Sequence, residues 1–248
     1  MHRFFLSPEQ IEGNQVIFPG DISHQIARVL RLGVKDNLIV LDNLGKEYLV
    51  QLAEVHPDKC RAAILEVKSH QEISKCLVFL FISMTQREKF EWILQKGTEI
   101  GISEFFPVIT SRTLVQSADQ WRKKTERMER IIREAAEQSG SIQLPVLHNP
   151  LAYQDSLNCA AKFSDISIIL WENENKQGMK EYLRERQFPG VPAKIAVFIG
   201  PEGGYSEDEI DQAIIAGIQP VTLGRKILRM ETAAILAAGM VFYELGGL

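Results

Sequence analysis

No run of apolar residues in this 248-residue chain reaches the roughly 18 to 20 that a membrane-spanning helix requires. The N-terminus also lacks a basic segment followed by an apolar core and a cleavage site, so a soluble, cytoplasmic protein is expected. Cysteine is scarce: Cys60, Cys76 and Cys159 lie far apart, with none of the paired spacing of a zinc site, a redox motif or a disulfide framework. They read as buried small hydrophobes. The five histidines are equally scattered, with no His-x-x-x-His or His-Glu-x-x-His arrangement, and no metal is expected. Excess positive charge is missing too. At a formal net charge of −4, nothing draws the whole chain to a polyanion, and any nucleic-acid contact has to come from local basic surface.

What is present is 45% hydrophobic content, enough for a substantial core in one large domain or two modest ones. Two are expected, residues 1–72 and 73–248. The first reads as short strands with a single helix, Asp21 to Arg31, which Asp21 caps and which places Ile22, Ile26, Val29 and Leu30 on one face. Strands follow at Leu38 to Leu41, Tyr48 to Val55 and Ala62 to Val67, the first two joined by the turn Asp42-Asn43-Leu44-Gly45. Polar residues Lys68 to Lys75 read as a linker. From Cys76 the pattern changes to strands alternating with helices. Strands are expected at Cys76 to Ser83, Glu104 to Ile109, Ser167 to Trp171, Ile195 to Ile199 and Pro220 to Leu223. Helices are expected at Gln86 to Glu99, at Asp119 to Gln138, between the last three of these strands, and from about Glu231 to Glu244. Such alternation predicts an α/β domain with a largely parallel, helix-covered sheet.

Two segments carry chemistry. In the first, the apolar strand ending at Ile199 runs into Gly200-Pro-Glu-Gly-Gly-Tyr-Ser206 and then a helix, and ligands of open parallel sheets gather at this carboxyl edge. Ser206 and Glu209 have capping-box spacing. A phosphate cradle is disfavoured, because Glu207, Asp208 and Glu209 would set negative charge in the first helical turn against it, and because neither a Walker lysine nor Gly-x-Gly-x-x-Gly is present. A tight strand-to-helix turn with no ligand remains open. The second segment, Val221 to Ala233, repeats the architecture with Gly224 after a short strand and a helix opened by Glu231 and Thr232. Arg229 and Glu231 at that helix start suit paired acid-base or electrostatic work, or else form a surface ion pair with ordinary acidic capping.

Ile199-Gly-Pro-Glu-Gly-Gly-Tyr-Ser206 followed by Leu223-Gly-Arg-Lys-Ile-Leu-Arg-Met-Glu-Thr-Ala233 resembles the paired signature of the ribosomal RNA small subunit methyltransferase E family, within the SPOUT class. The likeness extends to His2-Arg-Phe-Phe5, Arg28-Val-Leu-Arg31, Lys96-Gly-Thr-Glu-Ile-Gly101 and Glu134-Ala-Ala-Glu-Gln-Ser-Gly140. It departs at Arg225-Lys226, where the family usually has Pro-Arg, at Met230, where Thr is common, and at Ser141, where Arg is frequent.

The resemblance implies an N-terminal PUA-like small β-barrel for RNA over 1–72 and, over 73–248, a SPOUT α/β domain threaded into a deep trefoil knot, in a homodimer. It implies a transferase that uses S-adenosylmethionine to methylate N3 of a uridine in 16S ribosomal RNA of the small subunit. The cofactor set would be Ile199, Gly200, Pro201, Glu202, Gly203 and Gly204 of the first loop, with Leu223, Gly224, Ile227, Leu228, Arg229, Thr232 and Ala233 of the second. Arg229 would stabilise negative charge on the uracil oxygens, and Glu231 or Glu202 would take or relay the N3 proton. RNA contacts are expected from Arg3, Arg28, Arg31, Lys89 and Lys96. The basic run Arg122, Lys123, Lys124, Arg127, Arg130 and Arg133 is interleaved with Glu126, Glu129 and Glu134 and reads as a solvated helix face. Two other readings stay open. One is an inactive RNA-binding protein on the same fold; the other is a nucleotide-dependent oxidoreductase, which the missing dinucleotide fingerprint disfavours.

Overall fold

The computed structural model describes residues 1–70, 74–113, 118–186, 188 and 190–247, with the side chains of 118–120, 122 and 123 left out. Part of the expected linker (71–73) and the side chains of Arg122 and Lys123 thus lie outside the described residues. The chain divides into two compact units, Met1–Glu72 with Ala136–Leu144, and Ile73–Ala135 with Pro145–Leu248.

The first unit holds β1 (Arg3–Phe5), β2 (Ile11–Glu12), β3 (Gln15–Phe18), α1 (Gly20–His24), β4 (Asn37–Leu41), β5 (Lys46–Glu54) and β6 (Cys60–Ser69). These strands form one sheet in the order β1-β4-β5-β6-β3-β2, antiparallel except for β1 beside β4. Period-two alternation turns Tyr48, Val50 and Leu52 of β5 inward, onto Phe4, Phe18, Leu38 and Val40. The turn after β4 is built as its residues demand: Asn43 and Gly45 take positive φ, and Asp42 Oδ1 accepts from the backbone N–H groups of Leu44 and Lys46 at 2.8 and 3.0 Å.

The expected helix from Asp21 to Arg31 is altered. Pro19, not Asp21, occupies the N-cap, and after His24 the chain passes into a π turn, Gln25–Val29, in which Leu30 N–H reaches Gln25 O. That wider turn breaks the helical phase. Ile22 and Ile26 stay buried while Val29 swings outward to 65% exposure, and Arg31, at φ 54°, ends the segment. The linker is also shorter than expected, since β6 continues through Lys68 and Ser69.

The second unit contains β7 (Cys76–Ser83), α2 (Arg87–Glu99), β8 (Glu104–Ile109), α3 (Ala118–Ser139, its last turn grouping with the first unit), β9 (Val146–Leu147), β10 (Leu151–Ala152) and α4 (Tyr153–Phe163). It continues with β11 (Ile166–Leu170), α5 (Met179–Arg184), β12 (Ala193–Ile199), α6 (Glu207–Ile215), β13 (Gln219–Val221) and α7 (Met230–Leu245). The order is β10-β8-β7-β12-β11-β13, with β9 also on β8, and every pairing is parallel, as expected from the alternation. Its central strands are buried on both faces, which is why β7 and β12 read as continuous apolar runs. One face packs Leu80, Ile195 and Val197 against Ile93 of α2 and the small residues Ala234, Ala237 and Ala238 of α7. The other carries a ring stack, with Phe81 4.5 Å from Phe106 and 4.4 Å from Phe198. Burial pushes the Cys76 thiol up to about 11, which leaves it an inert core residue. Among the described residues no helix is long and apolar enough to cross a membrane, and no group of three or more His, Cys, Asp or Glu side chains is arranged to hold a metal ion.

Candidate functional site

In the second sheet β12, β11 and β13 are neighbours, so their parallel carboxyl ends deliver three chain segments to one edge. Between those segments lies a cavity of about 630 Å³. β12 supplies Ile199 to Tyr205, β13 supplies Val221 to Gly224 and the segment from Lys226 to Glu231 with Ala233 behind it, and β11 supplies Leu170, Trp171 and Glu172. The two glycine loops therefore do converge on one space. Nearly all of the expected cofactor set lines it. Thr232 does not, being exposed on the outer side of α7.

Local chemistry explains the first loop. Gly204 N–H closes a turn onto Pro201 O at 2.9 Å, and Gly204 sits at φ 66°, where a Cβ would also run into the Glu172 carboxylate. A Cβ on Gly200 would lie 3.0 Å from the Tyr205 ring. The capping box is formed: Ser206 Oγ accepts from Glu209 N–H at 3.2 Å, while Glu209 Oε2 accepts from Ser206 N–H at 2.9 Å. The second Glu209 oxygen accepts from Ser111 N–H at 2.8 Å, so this acid is committed to holding the loop. The second loop starts with Thr222 Oγ1, which accepts from Gly224 N–H at 3.2 Å and donates to Gly224 O at 3.1 Å.

The expected catalytic trio is gathered at the cavity wall, with contrasting environments. Glu202 Oε1 accepts from Thr85 Oγ1 at 2.5 Å and from Lys89 Nζ at 2.8 Å. Burial works against ionisation of Glu202, but the hydrogen bonds from Lys89 and Thr85 outweigh it and hold the carboxyl below the ordinary carboxylate range. Glu231 is the opposite case: its Oε2 is buried without a hydrogen-bond partner among the described residues. Arg229 is the N-cap residue of α7, exposed, and makes no ion pair among the described residues.

The depressed Glu202 carboxyl contributes stability above its unfolded-state pKa of about 4.3 and loses that contribution as pH falls through the lower folded value. Lys89→Met is therefore expected to lower the unfolding temperature at neutral pH and to leave it unchanged once acid has protonated Glu202 in both proteins. An equal shift at both ends of a pH series of thermal melts would show that Lys89 acts through packing alone.

The expected RNA residues differ in their surroundings. Lys89 faces the cavity and is tied to Glu202, and Lys96 is spent on Glu99 at 2.8 Å on its own helix. Arg3 pairs with Glu47 at 3.1 Å and is only 17% exposed. Arg28 and Arg31 are exposed. On α3, Arg130 pairs with Glu134 of the same helix, whereas Arg127 reaches across to Glu91 of α2, whose carboxylate is only 13% exposed, so Arg127 ties two helices together. Sequence reasoning missed Arg112, whose Nη1 donates to Gly203 O at 2.7 Å, and it missed the Leu170–Glu172 wall. The carboxyl-edge rule applied to β11 would have flagged that wall had the strand order been known.

Family models for an RNA methyltransferase domain and an RNA methyltransferase PUA domain match residues 72–242 and 18–65 respectively. Ribosomal RNA small subunit methyltransferase E of Synechocystis sp. is 34% identical, over 97% of this chain and 77% of its own length. The enzyme of the same name from Bacillus subtilis is 31% identical over 98% of this chain and 97% of its own. A crystal structure of ribosomal RNA small subunit methyltransferase E from Neisseria gonorrhoeae, bound to S-adenosylmethionine, superposes with a TM-score of 0.84 at 29% identity, covering 98% of this chain and 97% of that one. With both domain models matched in order and full-length relatives above 30% identity, the chain belongs to the ribosomal RNA small subunit methyltransferase E family.

Proposed function

We propose that this protein transfers the methyl group of S-adenosylmethionine to N3 of a uridine in 16S ribosomal RNA. The observation that carries the reading is the convergence of both glycine loops and the β11 end on one cavity of about 630 Å³, a size typical of small-molecule sites. The residues present fit this cofactor. Glu172 and Glu231 border the space and complement a sulfonium and an ammonium, whereas Glu202 is already paired with Lys89; Glu231 Oε2, unpartnered among the described residues, is an acceptor that a donor on a bound molecule would satisfy. Backbone groups of residues 199–204 and 223–228, with the side chain of Trp171, would hold it. When bound, S-adenosylmethionine supplies a methyl group on a good leaving group.

The chain's own task is alignment, exclusion of water and handling of one proton. Uracil N3 carries a proton near neutrality, so it must be deprotonated at or before transfer. Of the two acids, Glu202 is a poor acceptor, since its charge is already satisfied by Lys89 and Thr85. Glu231, a residue of the cavity wall with one buried carboxylate oxygen unpaired among the described residues, is the general base in this reading. Arg229, two residues before it and without a counter-ion among the described residues, stabilises the negative charge that develops on the uracil oxygens.

The PUA-like unit over 1–72 serves as the RNA-binding part and 73–248 as the methyltransferase domain, with a trefoil-knotted C-terminal half. A homodimer accords with Leu236 and Tyr243 of α7, which are 44% and 75% exposed. A cytoplasmic location follows from the ribosomal substrate. In the first unit, Arg28 and Arg31 are the RNA contacts. Replacing both with alanine is expected to weaken binding to 16S RNA and to flatten its salt dependence by about 0.7 to 0.9 for each phosphate no longer engaged; an unchanged slope removes that surface from the interface. The function itself is tested by incubating the purified protein with isotopically labelled S-adenosylmethionine and either free 16S RNA or small subunits lacking the modification. Label recovered as 3-methyluridine supports the assignment, and no transfer to either substrate refutes it.

A further inference from the structure

Several cations of this unit are neutralised: Lys89, at the cavity, by Glu202, and elsewhere Lys96 by Glu99, Arg127 by Glu91 and Arg184 by Glu244. The loop between β13 and α7 differs. From Gly224 to Arg229 it carries Arg225, Lys226 and Arg229, no acidic residue, and no ion pair among the described residues. Its apolar tip, Ile227, is 86% exposed although it belongs to the cavity wall. Across the mouth, the exposed Arg112 donates to Gly203 O on the other loop and adds a further positive charge to the rim. A cofactor held by backbone groups and shielded by the wall gives no reason for two cations and a bare isoleucine to stand outside. Cations flanking one exposed apolar side chain match a nucleic-acid strand, with phosphates for the cations and a base face for the isoleucine.

We propose that loop 224–229 is the RNA-gripping rim of the active site. Arg225 and Lys226 engage phosphates beside the target nucleotide, and Ile227 lies against the face of the extruded uracil. The proposal rests on methyl transfer to uridine N3 at this cavity and adds the form of the substrate. N3 lies on the Watson–Crick edge and is blocked in a base pair, so the segment gripped is unpaired RNA. It also moves the Ile227 side chain from cofactor contact to substrate contact.

The test uses the full chain, 16S RNA and S-adenosylmethionine. For Arg225→Ala/Lys226→Ala, the logarithmic salt slope of RNA binding is expected to become shallower by about 1.4, equivalent to two single-strand phosphates, with Arg225→Lys retaining its share. Cofactor affinity by calorimetry stays at the wild-type value. For Ile227→Ser, the KM for RNA rises about fivefold or more while the salt slope stays that of wild type. A wild-type slope in the double variant, or weakened cofactor affinity with unchanged RNA binding in Ile227→Ser, overturns the proposal and makes the loop a cofactor cover. Failure of the underlying methyltransferase reading is separate, because then the wild-type chain itself binds no S-adenosylmethionine or transfers no methyl.

Discussion

Glu231→Gln is expected to slow single-turnover methyl transfer by about 10²- to 10⁴-fold at saturating cofactor and RNA, the range that general base catalysis supplies. The glutamine keeps the shape of the side chain at the start of α7 but removes the capacity to accept a proton. Because Glu231 Oε2 has no hydrogen-bond partner among the described residues, the change breaks none of their hydrogen bonds at that atom, and folding should be preserved. Arg229→Ala is expected to cost about 10²- to 10³-fold by removing charge stabilisation, again without disrupting an internal ion pair. A rapid-quench measurement distinguishes these effects from weak binding, since raising RNA or cofactor would not restore the rate. Unchanged rates in both variants would remove this pair from the chemistry. A large loss of rate in Glu202→Gln but not in Glu231→Gln would exchange the roles of the two acids.

Phe81→Ala is expected to destabilise the protein by about 3–5 kcal/mol. Phe81 is fully buried in the centre of β7, and its ring stacks on Phe106 of β8 on one side and on Phe198 of β12 on the other. Three strands thus share one aromatic layer, and deletion of the middle ring leaves a void that neighbours on rigid strands cannot close. The effect should reach the site, because Phe198 lies one residue before Ile199 and the first glycine loop hangs from that strand. Urea unfolding checks the magnitude. A destabilisation under about 1 kcal/mol would mean that the layer collapses onto the gap and is not a determinant of the sheet.

Local pattern made much of the second unit legible. The apolar runs Cys76–Ser83 and Glu104–Ile109 are strands with the expected bounds, and the spacing of Ser206 and Glu209 forms the capping box. Strand order was not legible, because it depends on which distant segments pair. Placing β11 between β12 and β13 is what brings Leu170, Trp171 and Glu172 to the cavity. Lys89 shows the same limit: on a helical wheel it is one more exposed cation, and only the approach of the glycine loop to α2 commits it to Glu202. The π turn was hidden for a different reason. The spacing of Ile22, Ile26, Val29 and Leu30 suits a regular helix, and the hydrogen bond that widens it is set by backbone geometry, not by side-chain type. Nor does anything in residues 136–144 signal their grouping with the N-terminal strands, where Glu137 Oε1 accepts from Phe5 N–H at 3.1 Å. The glycine loops pointed to a shared pocket on physical grounds, whereas uridine N3 as the target came from family resemblance.

The most direct measurement is mass-spectrometric mapping of 16S ribosomal RNA from cells lacking this protein. The expected result is the absence of one 3-methyluridine, restored by the wild-type chain and not by Glu231→Gln. A full complement of 3-methyluridine in the deleted strain would contradict the assignment.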